Sequence, residues 1–134
     1  PKDEYITTKG GKPDINNNSI VGKFEFGKFS MLFTGDAERT EENVLIKEQN
    51  TKLFSRILKV AHHGSNTSSQ KDFLRSVRPE VAVISVGFHN DYQHPSNEVL
   101  KRLQNENITV FRTDEDGSIT IDTDGKSWYI KAER

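Results

Sequence analysis

The 134-residue sequence contains no cysteine, which excludes a disulfide framework and a thiolate metal site. It has no apolar run near the ~20 residues that a membrane-spanning helix needs, and no signal-type N-terminus. It also has no excess of one charge, since 19 Lys and Arg stand against 20 Asp and Glu. The net field of the chain therefore does not attract a polyanion, so any nucleic-acid contact has to be local. These absences predict a soluble fragment.

What is present is an alternation of strand and helix patterns. Strands are predicted as a hairpin over 20–33, then at 56–61, 81–86 and 108–111, and as a second hairpin over 118–130 that turns at 123–125. Helices are predicted at 41–49, at 68–77 with Ser68 or Ser69 as the cap, and from Ser96 onward. Residues 1–18, rich in Lys, Gly, Pro, Asp and Asn, predict a surface loop. The pattern indicates a mixed α/β sheet layered with helices.

Candidate reactive residues follow the predicted strands. Asp36 comes after Gly35 at the end of the first hairpin, and all four histidines lie within residues 62–94, just after strands. Neutral imidazole is a preferred zinc ligand, so the adjacent His62 and His63 offer one ligand nitrogen and one acid–base group. Taken alone, Asp36 is better explained as a turn or cap residue, and the histidine pair as a surface pair.

Several ordered motifs together resemble the ComEC branch of the metallo-β-lactamase superfamily. They are NNSIV at 17–21, LFTGDAE at 32–38, LKVAHHGS at 58–65, PEVAVISVG at 79–87, NDYQHP at 90–95 and RTDEDGSI at 112–119. The resemblance covers nearly the whole chain from about residue 16. It implies the C-terminal half of an αββα sandwich over 19–134, with 1–18 as a loop or linker at a truncation point.

The resemblance also implies a site that holds two divalent metal ions, zinc or manganese. Asp36 would bridge the metals, and His62 or His63 would bind the second one. Because neighbouring residues on an extended segment point in opposite directions, only one of the two histidines is expected to reach the metal. The other histidine of the pair, or His94, would protonate the leaving group, which makes His63 and His94 candidate catalytic residues.

One departure from the family pattern limits the expected activity. The His-x-His-x-Asp-His motif, which supplies most of the metal ligands in the family, does not occur in this sequence. We therefore expect the missing N-terminal half of the domain to contribute those ligands, and the fragment alone to bind metal weakly and to be nearly inactive.

The implied function of the intact domain is that of a metal-dependent phosphodiesterase or nuclease in a DNA-uptake protein. DNA is the implied partner, and the parent protein is expected in the cell membrane with this domain outside the cytoplasm. Two alternatives stay open: a related hydrolase of a small phosphodiester such as a choline-phosphate ester, and a non-catalytic interaction module. The modest concentration of Arg75, Arg78, Lys101 and Arg102 is interpreted as a solvated helix face rather than a DNA contact.

Overall fold

The computed structural model describes residues 5–134 and contains a five-stranded and a two-stranded sheet. The strands are β1 Gly22–Phe26, β2 Phe29–Phe33, β3 Ile57–Lys59, β4 Val81–Ile84, β5 Thr109–Arg112, β6 Ile119–Thr123 and β7 Trp128–Ala132. The helices are α1 Arg39–Gln49, α2 Lys71–Val77, α3 Asn97–Asn105 and α4 Thr113–Asp116, with 3-10 turns at Asn16–Asn18, Asn50–Lys52 and Ala61–Gly64. The start of the predicted loop, residues 1–4, lies outside the described residues.

The larger sheet is mixed, with the strand order β1-β2-β3-β4-β5. β1 is antiparallel to β2, as the predicted hairpin requires, while the pairs β2–β3, β3–β4 and β4–β5 are parallel. Parallel neighbours need crossover connections, and α1, α2 and α3 lie in these crossovers. The carboxyl ends of β2 to β5 therefore meet at one edge of the sheet.

The side chains of the sheet alternate between two apolar cores. Leu58, Ala82 and Ile84 point into a core that they share with apolar residues of α2 and α3. Their neighbours Ile57 and Val81 pack on the opposite face, against apolar residues of the β6–β7 hairpin. The order of layers is helices, mixed sheet and second β-sheet, which confirms the predicted mixed α/β class. The short helix α4 was not predicted.

The cap of α2 differs from the prediction, because Gln70 rather than Ser68 or Ser69 is its N-cap and its side chain makes no cap hydrogen bond. The carboxylate of Glu42, from α1, accepts the backbone N–H groups of Ser69 and Gln70 instead. Glu42 is 1% exposed. A side chain distant in the sequence thus satisfies the free donors at the start of this helix.

Glu42 makes the stability of the fold depend on pH. Burial raises the pKa of Glu42 from 4.5 to about 7, although its hydrogen bonds from Gln70 and Ser69 act in the opposite direction. The folded chain therefore holds this proton more tightly than the unfolded chain, so the free energy of unfolding decreases as the pH rises from 4.5 through 7. In the parent chain, Glu42 should account for up to roughly 3 kcal/mol of the decrease in the free energy of unfolding between pH 5 and 8. We expect Glu42→Gln to lack this part of the decrease when unfolding is measured by urea denaturation.

Glu41→Gln is the companion variant, because burial also raises the pKa of Glu41 to about 7. It is expected to remove a smaller part of the slope with the same sign, since Glu41 is less buried than Glu42. An unchanged slope in Glu42→Gln would show that Glu42 is ionised throughout this pH range.

Candidate metal centre

The candidate residues gather at the carboxyl edge of the larger sheet. Asp36 follows β2, His62 and His63 follow β3, and His94 lies in the loop between β4 and α3. This is the placement that the sequence predicted, since ligand sites of parallel α/β sheets form where the strands end.

The turn that carries Asp36 is held at both sides. The buried hydroxyl of Thr34 donates to the carbonyl of Lys59 over 2.7 Å and so ties the end of β2 to the end of β3. Gly35 has φ +51°, and a Cβ at this position would lie 3.0 Å from the Cβ of Ser19. The Ser19 hydroxyl accepts the backbone N–H of Asp36 over 3.1 Å. The carboxylate of Asp36 is thereby presented from a closely packed turn.

The histidine pair lies in a tight turn, not on an extended segment. His62 and His63 have φ 47° and 53°, the left-handed conformation, within the turn Ala61–Gly64. The extended backbone expected for this pair was therefore wrong. The backbone N–H of His62 donates to the carbonyl of Gly35 over 3.1 Å, which attaches this turn directly to the turn of Asp36.

His63 is the histidine that approaches Asp36. Its Nδ1 lies 2.7 Å from the carbonyl oxygen of Ser85. A carbonyl oxygen only accepts, so Nδ1 carries the hydrogen and Nε2 presents its lone pair. Nε2 lies 3.9 Å from Oδ1 of Asp36, and the two side chains are 50% and 44% exposed. Two ligand atoms, each about 2.1 Å from one cation, are separated by at most ~4.2 Å, so this pair fits a shared cation.

His62 has a different partner. Its Nδ1 lies 3.1 Å from Oε1 of Glu38, an oxygen that also accepts from the side-chain amide of Asn16 over 3.3 Å. The ring of His62 stands edge-on to that of His94, with 5.8 Å between centroids. Sequence reasoning did not single out Glu38; its position two residues after Asp36 in the quoted motif was the only signal.

His94 lies in the same cluster. Its Nδ1 is buried and has no hydrogen-bond partner among residues 5–134. Burial, followed by the neighbouring His62 and His63, lowers the pKa of His94, so its neutral form is favoured near pH 7. A cavity of about 410 Å³ opens beside it. The cavity is lined by Asn66, Tyr92, Gln93, His94, Pro95, Ser96, Asn97 and Glu98.

The described residues supply only part of a metal site. Within residues 5–134, no group of three or more His, Cys, Asp or Glu side chains converges closely enough to hold a cation. Asp36 and His63 fit one side of such a site by atom type, tautomer and spacing. A zinc site of the catalytic kind has at least three protein ligands.

Two of the four basic residues named in the sequence analysis make polar contacts within the fold. Arg102 donates to the carbonyls of Ser68, Ser69 and Asn66, the segment that follows the histidine turn. Interpreting Arg102 as part of a solvated face was therefore wrong, since it fixes this segment. Arg75 pairs with Glu106.

The fold and the site define a layered α/β domain with an imidazole nitrogen 3.9 Å from a carboxylate oxygen at one sheet edge. Residues 4–89 match the sequence model of the metallo-beta-lactamase superfamily. The chain belongs to this superfamily, whose members typically bind divalent metals.

The similar proteins include one that is named for competence. The chain is 42% identical over 105 residues to ComE operon protein 3 of Bacillus subtilis (strain 168), which covers 78% of this chain and 13% of that protein. It is 40% identical over 106 residues to Competence protein ComA of Neisseria gonorrhoeae, covering 79% of this chain and 15% of that protein. It is 32% identical over 126 residues to Uncharacterized protein YcaI of Escherichia coli (strain K12), covering 94% of this chain and 17% of that protein.

These matches confirm the resemblance to ComEC-type proteins. The chain spans less than a fifth of the length of these relatives. Among residues 5–134, no helix has the length and apolar character that crossing a membrane requires.

Proposed function

We propose that residues 19–134 form the C-terminal half of a metal-dependent phosphodiesterase or nuclease domain in a ComEC-like DNA-uptake protein, with residues 1–18 as the linking segment. The observation that carries the proposal is the approach of His63 Nε2 to Asp36 Oδ1, with His63 Nδ1 committed to a carbonyl. The similarity to a competence protein supports DNA uptake as the setting, with DNA as the proposed substrate. We place the parent protein in the cell membrane, with this domain outside the cytoplasm.

Asp36 and His63 are the proposed ligands of two divalent ions. Carboxylate oxygen and imidazole nitrogen suit zinc, and also suit manganese. The remaining ligands are assigned to the N-terminal half of the domain, which we place outside this chain. With two donors, the chain alone is expected to bind metal weakly and to show little hydrolysis.

Bound divalent ions would supply Lewis acidity, which activates water and stabilises negative charge at phosphorus. The residues of this chain orient the other groups. In its doubly protonated form, His62 donates its Nδ1–H to Glu38 and can give its Nε2 proton to the leaving oxygen. The lowered pKa of His94 favours its neutral form, so we assign it contact with the substrate in preference to proton donation. His63 acts as a ligand.

One observation favours a second candidate, a hydrolase of a small choline-phosphate ester. The cavity beside His94 contains the ring of Tyr92 and the carboxylate of Glu98. An aromatic face and an acid together suit a quaternary ammonium group. Comparing hydrolysis of a choline-phosphate ester with that of single-stranded DNA by the intact protein separates the two candidates.

The two adjacent histidines are expected to differ when each is replaced in the intact protein. His63→Ala should lower the affinity for metal by more than about a hundredfold, because it removes a ligand, whereas His62→Ala should retain most of the metal. Although it retains metal, His62→Ala should cleave more slowly than the parent, because the group that donates the proton is lost. Metal content after equilibrium dialysis, with the cleavage rate at saturating metal, measures both effects.

The same pair of variants contains its own control, because the two positions share one turn and the same backbone conformation. If His62→Ala released the metal and His63→Ala retained it, the ligand assignment would be reversed and the proposed geometry would be wrong.

A further inference from the structure

We infer that the loop of residues 87–95 forms a stacking surface for an unpaired nucleobase of the substrate, next to the bond that is cleaved. This inference rests on the proposed function, because it specifies the substrate class of the same site. Its centre is the ring of Tyr92. This ring stacks with that of His94, which in turn lies edge-on to His62 in the candidate metal centre.

The loop exposes two large aromatic side chains. Tyr92 is 80% exposed and Phe88 is 70% exposed. Aromatic rings usually contribute to stability by being buried, so two exposed rings within five residues of each other suit contact with a ligand better than a role in the core. Both lie at the sheet edge that carries Asp36 and the histidines.

The loop is held in one shape by a single side chain. The amide of Asn90 donates to the carbonyls of Gly87 and His94 over 3.1 Å and 2.8 Å, and it accepts the backbone N–H of His94 over 2.8 Å. These bonds close the loop across its base. The backbone that carries Tyr92 is therefore preformed, which lowers the cost of ordering the loop when a ligand stacks on the ring.

The ring geometry connects this surface to the candidate metal centre. The rings of Tyr92 and His94 stack with 5.8 Å between centroids and 23° between planes. One face of Tyr92 is thus directed at His94 in an offset stack, while the high exposure of Tyr92 leaves the other face open. His94 in turn meets the ring of His62 at 5.8 Å. A base on the open face of Tyr92 would place its own phosphodiester close to the histidine cluster.

The chemistry of the adjoining cavity favours a base over a phosphate. Its wall carries the side-chain amides of Asn66, Gln93 and Asn97, and amides both donate and accept, as the edges of bases require. The charged residue in the lining is Glu98, which repels a phosphate. A base is free to stack on a protein ring only when it is unpaired, so the substrate class is single-stranded nucleic acid.

The test separates stacking from contacts with the backbone of the nucleic acid. The intact protein carrying Asp36→Ala, which suppresses cleavage, is compared with the double variants that add Tyr92→Leu or Tyr92→Phe. The probes are a fluorescein-labelled oligothymidine and an oligomer of the same length in which every base is removed and the sugar-phosphate chain is kept. Fluorescence anisotropy gives the Kd of each pair.

We expect Tyr92→Leu to weaken binding of the oligothymidine by about five- to a hundredfold, the range of one lost base–aromatic stack. Tyr92→Phe keeps the ring and should stay within about twofold of the parent. On the oligomer without bases, all three proteins should bind equally. Tyr129→Leu is the matched control, because Tyr129 is 53% exposed on β7, in the separate two-stranded sheet.

An equal loss on both oligomers, or no loss on the oligothymidine, would overturn the inference. Binding of duplex DNA that depends as strongly on Tyr92 would also contradict it. The stacking inference is tested by binding, and the proposed function is tested by cleavage, so the two can fail separately. The proposed function would fail if metal-dependent cleavage survived Asp36→Ala, whatever the role of Tyr92.

Discussion

Replacing Asp36 by Ala in the intact protein is expected to lower metal-dependent cleavage of a phosphodiester by about a hundredfold to a thousandfold. This is the range observed when one group that stabilises charge in a transition state is removed. Asp36 Oδ1 lies 3.9 Å from Nε2 of His63, so its loss leaves His63 as the one proposed ligand in this chain. Initial rates on single-stranded DNA, measured across a titration of manganese or zinc, provide the test.

The matched control is Asp72→Ala. Asp72 is an exposed carboxylate in the first turn of α2 and takes no part in the candidate site. It should leave the rate unchanged, which shows that the effect at position 36 is not a consequence of lost negative charge alone. If Asp36→Ala cleaved at the parental rate while remaining folded, the proposed metal centre would have no basis.

Gly64→Ala is expected to destabilise the domain by about 2–4 kcal/mol and to reduce activity at the same time. Gly64 has φ +84°, where an L side chain is strained, and an added Cβ would lie 2.6 Å from the Cβ of Pro95. Overpacking of this kind typically costs about 1–3 kcal/mol in addition to the strain. Relief of the close contact with Pro95 would push the loop of His94 away from the histidine turn. Urea denaturation and the cleavage rate measure the two effects.

Gly87→Ala is the control for this variant. Gly87 lies at the start of the same loop, but an added Cβ there meets no atom within 4 Å among the described residues, and its φ is not in the left-handed region. The change should alter the free energy of unfolding by less than about 1 kcal/mol. Equal effects of the two variants would show that the contact between Gly64 and Pro95 does not determine the position of the loop.

Several elements were predictable because their causes are local in the sequence. Helix α3 begins after Ser96, whose hydroxyl accepts the backbone N–H of Val99 over 3.3 Å. The run at 81–86, rich in Val and Ile, predicted a strand, and β4 is buried along its whole length. The β6–β7 hairpin follows from alternating residues around Gly125, which has φ +82°. In each case, residues a few positions apart determine the structure.

Other features depended on contacts between distant residues. The donors at the start of α2 are satisfied by Glu42, 27 residues away from Ser69 in the sequence, so the serines near the helix start misled the prediction of its cap. Arg102 binds the carbonyl of Ser68 from 34 residues away. No local pattern indicates such pairings, because they arise only when α1 and α3 pack beside the same segment.

The sequence by itself determined the order of the strands and of helices α1 to α3, the superfamily, and the aspartate and histidines of the candidate site. Only the tertiary structure decided how the two adjacent histidines divide their contacts. The carbonyl of Ser85 holds Nδ1 of His63, and the carboxylate of Glu38 holds Nδ1 of His62. These partners are delivered by different strand ends. The left-handed turn of the pair, which no alternation rule for extended chains describes, brings Nε2 of His63 toward Asp36.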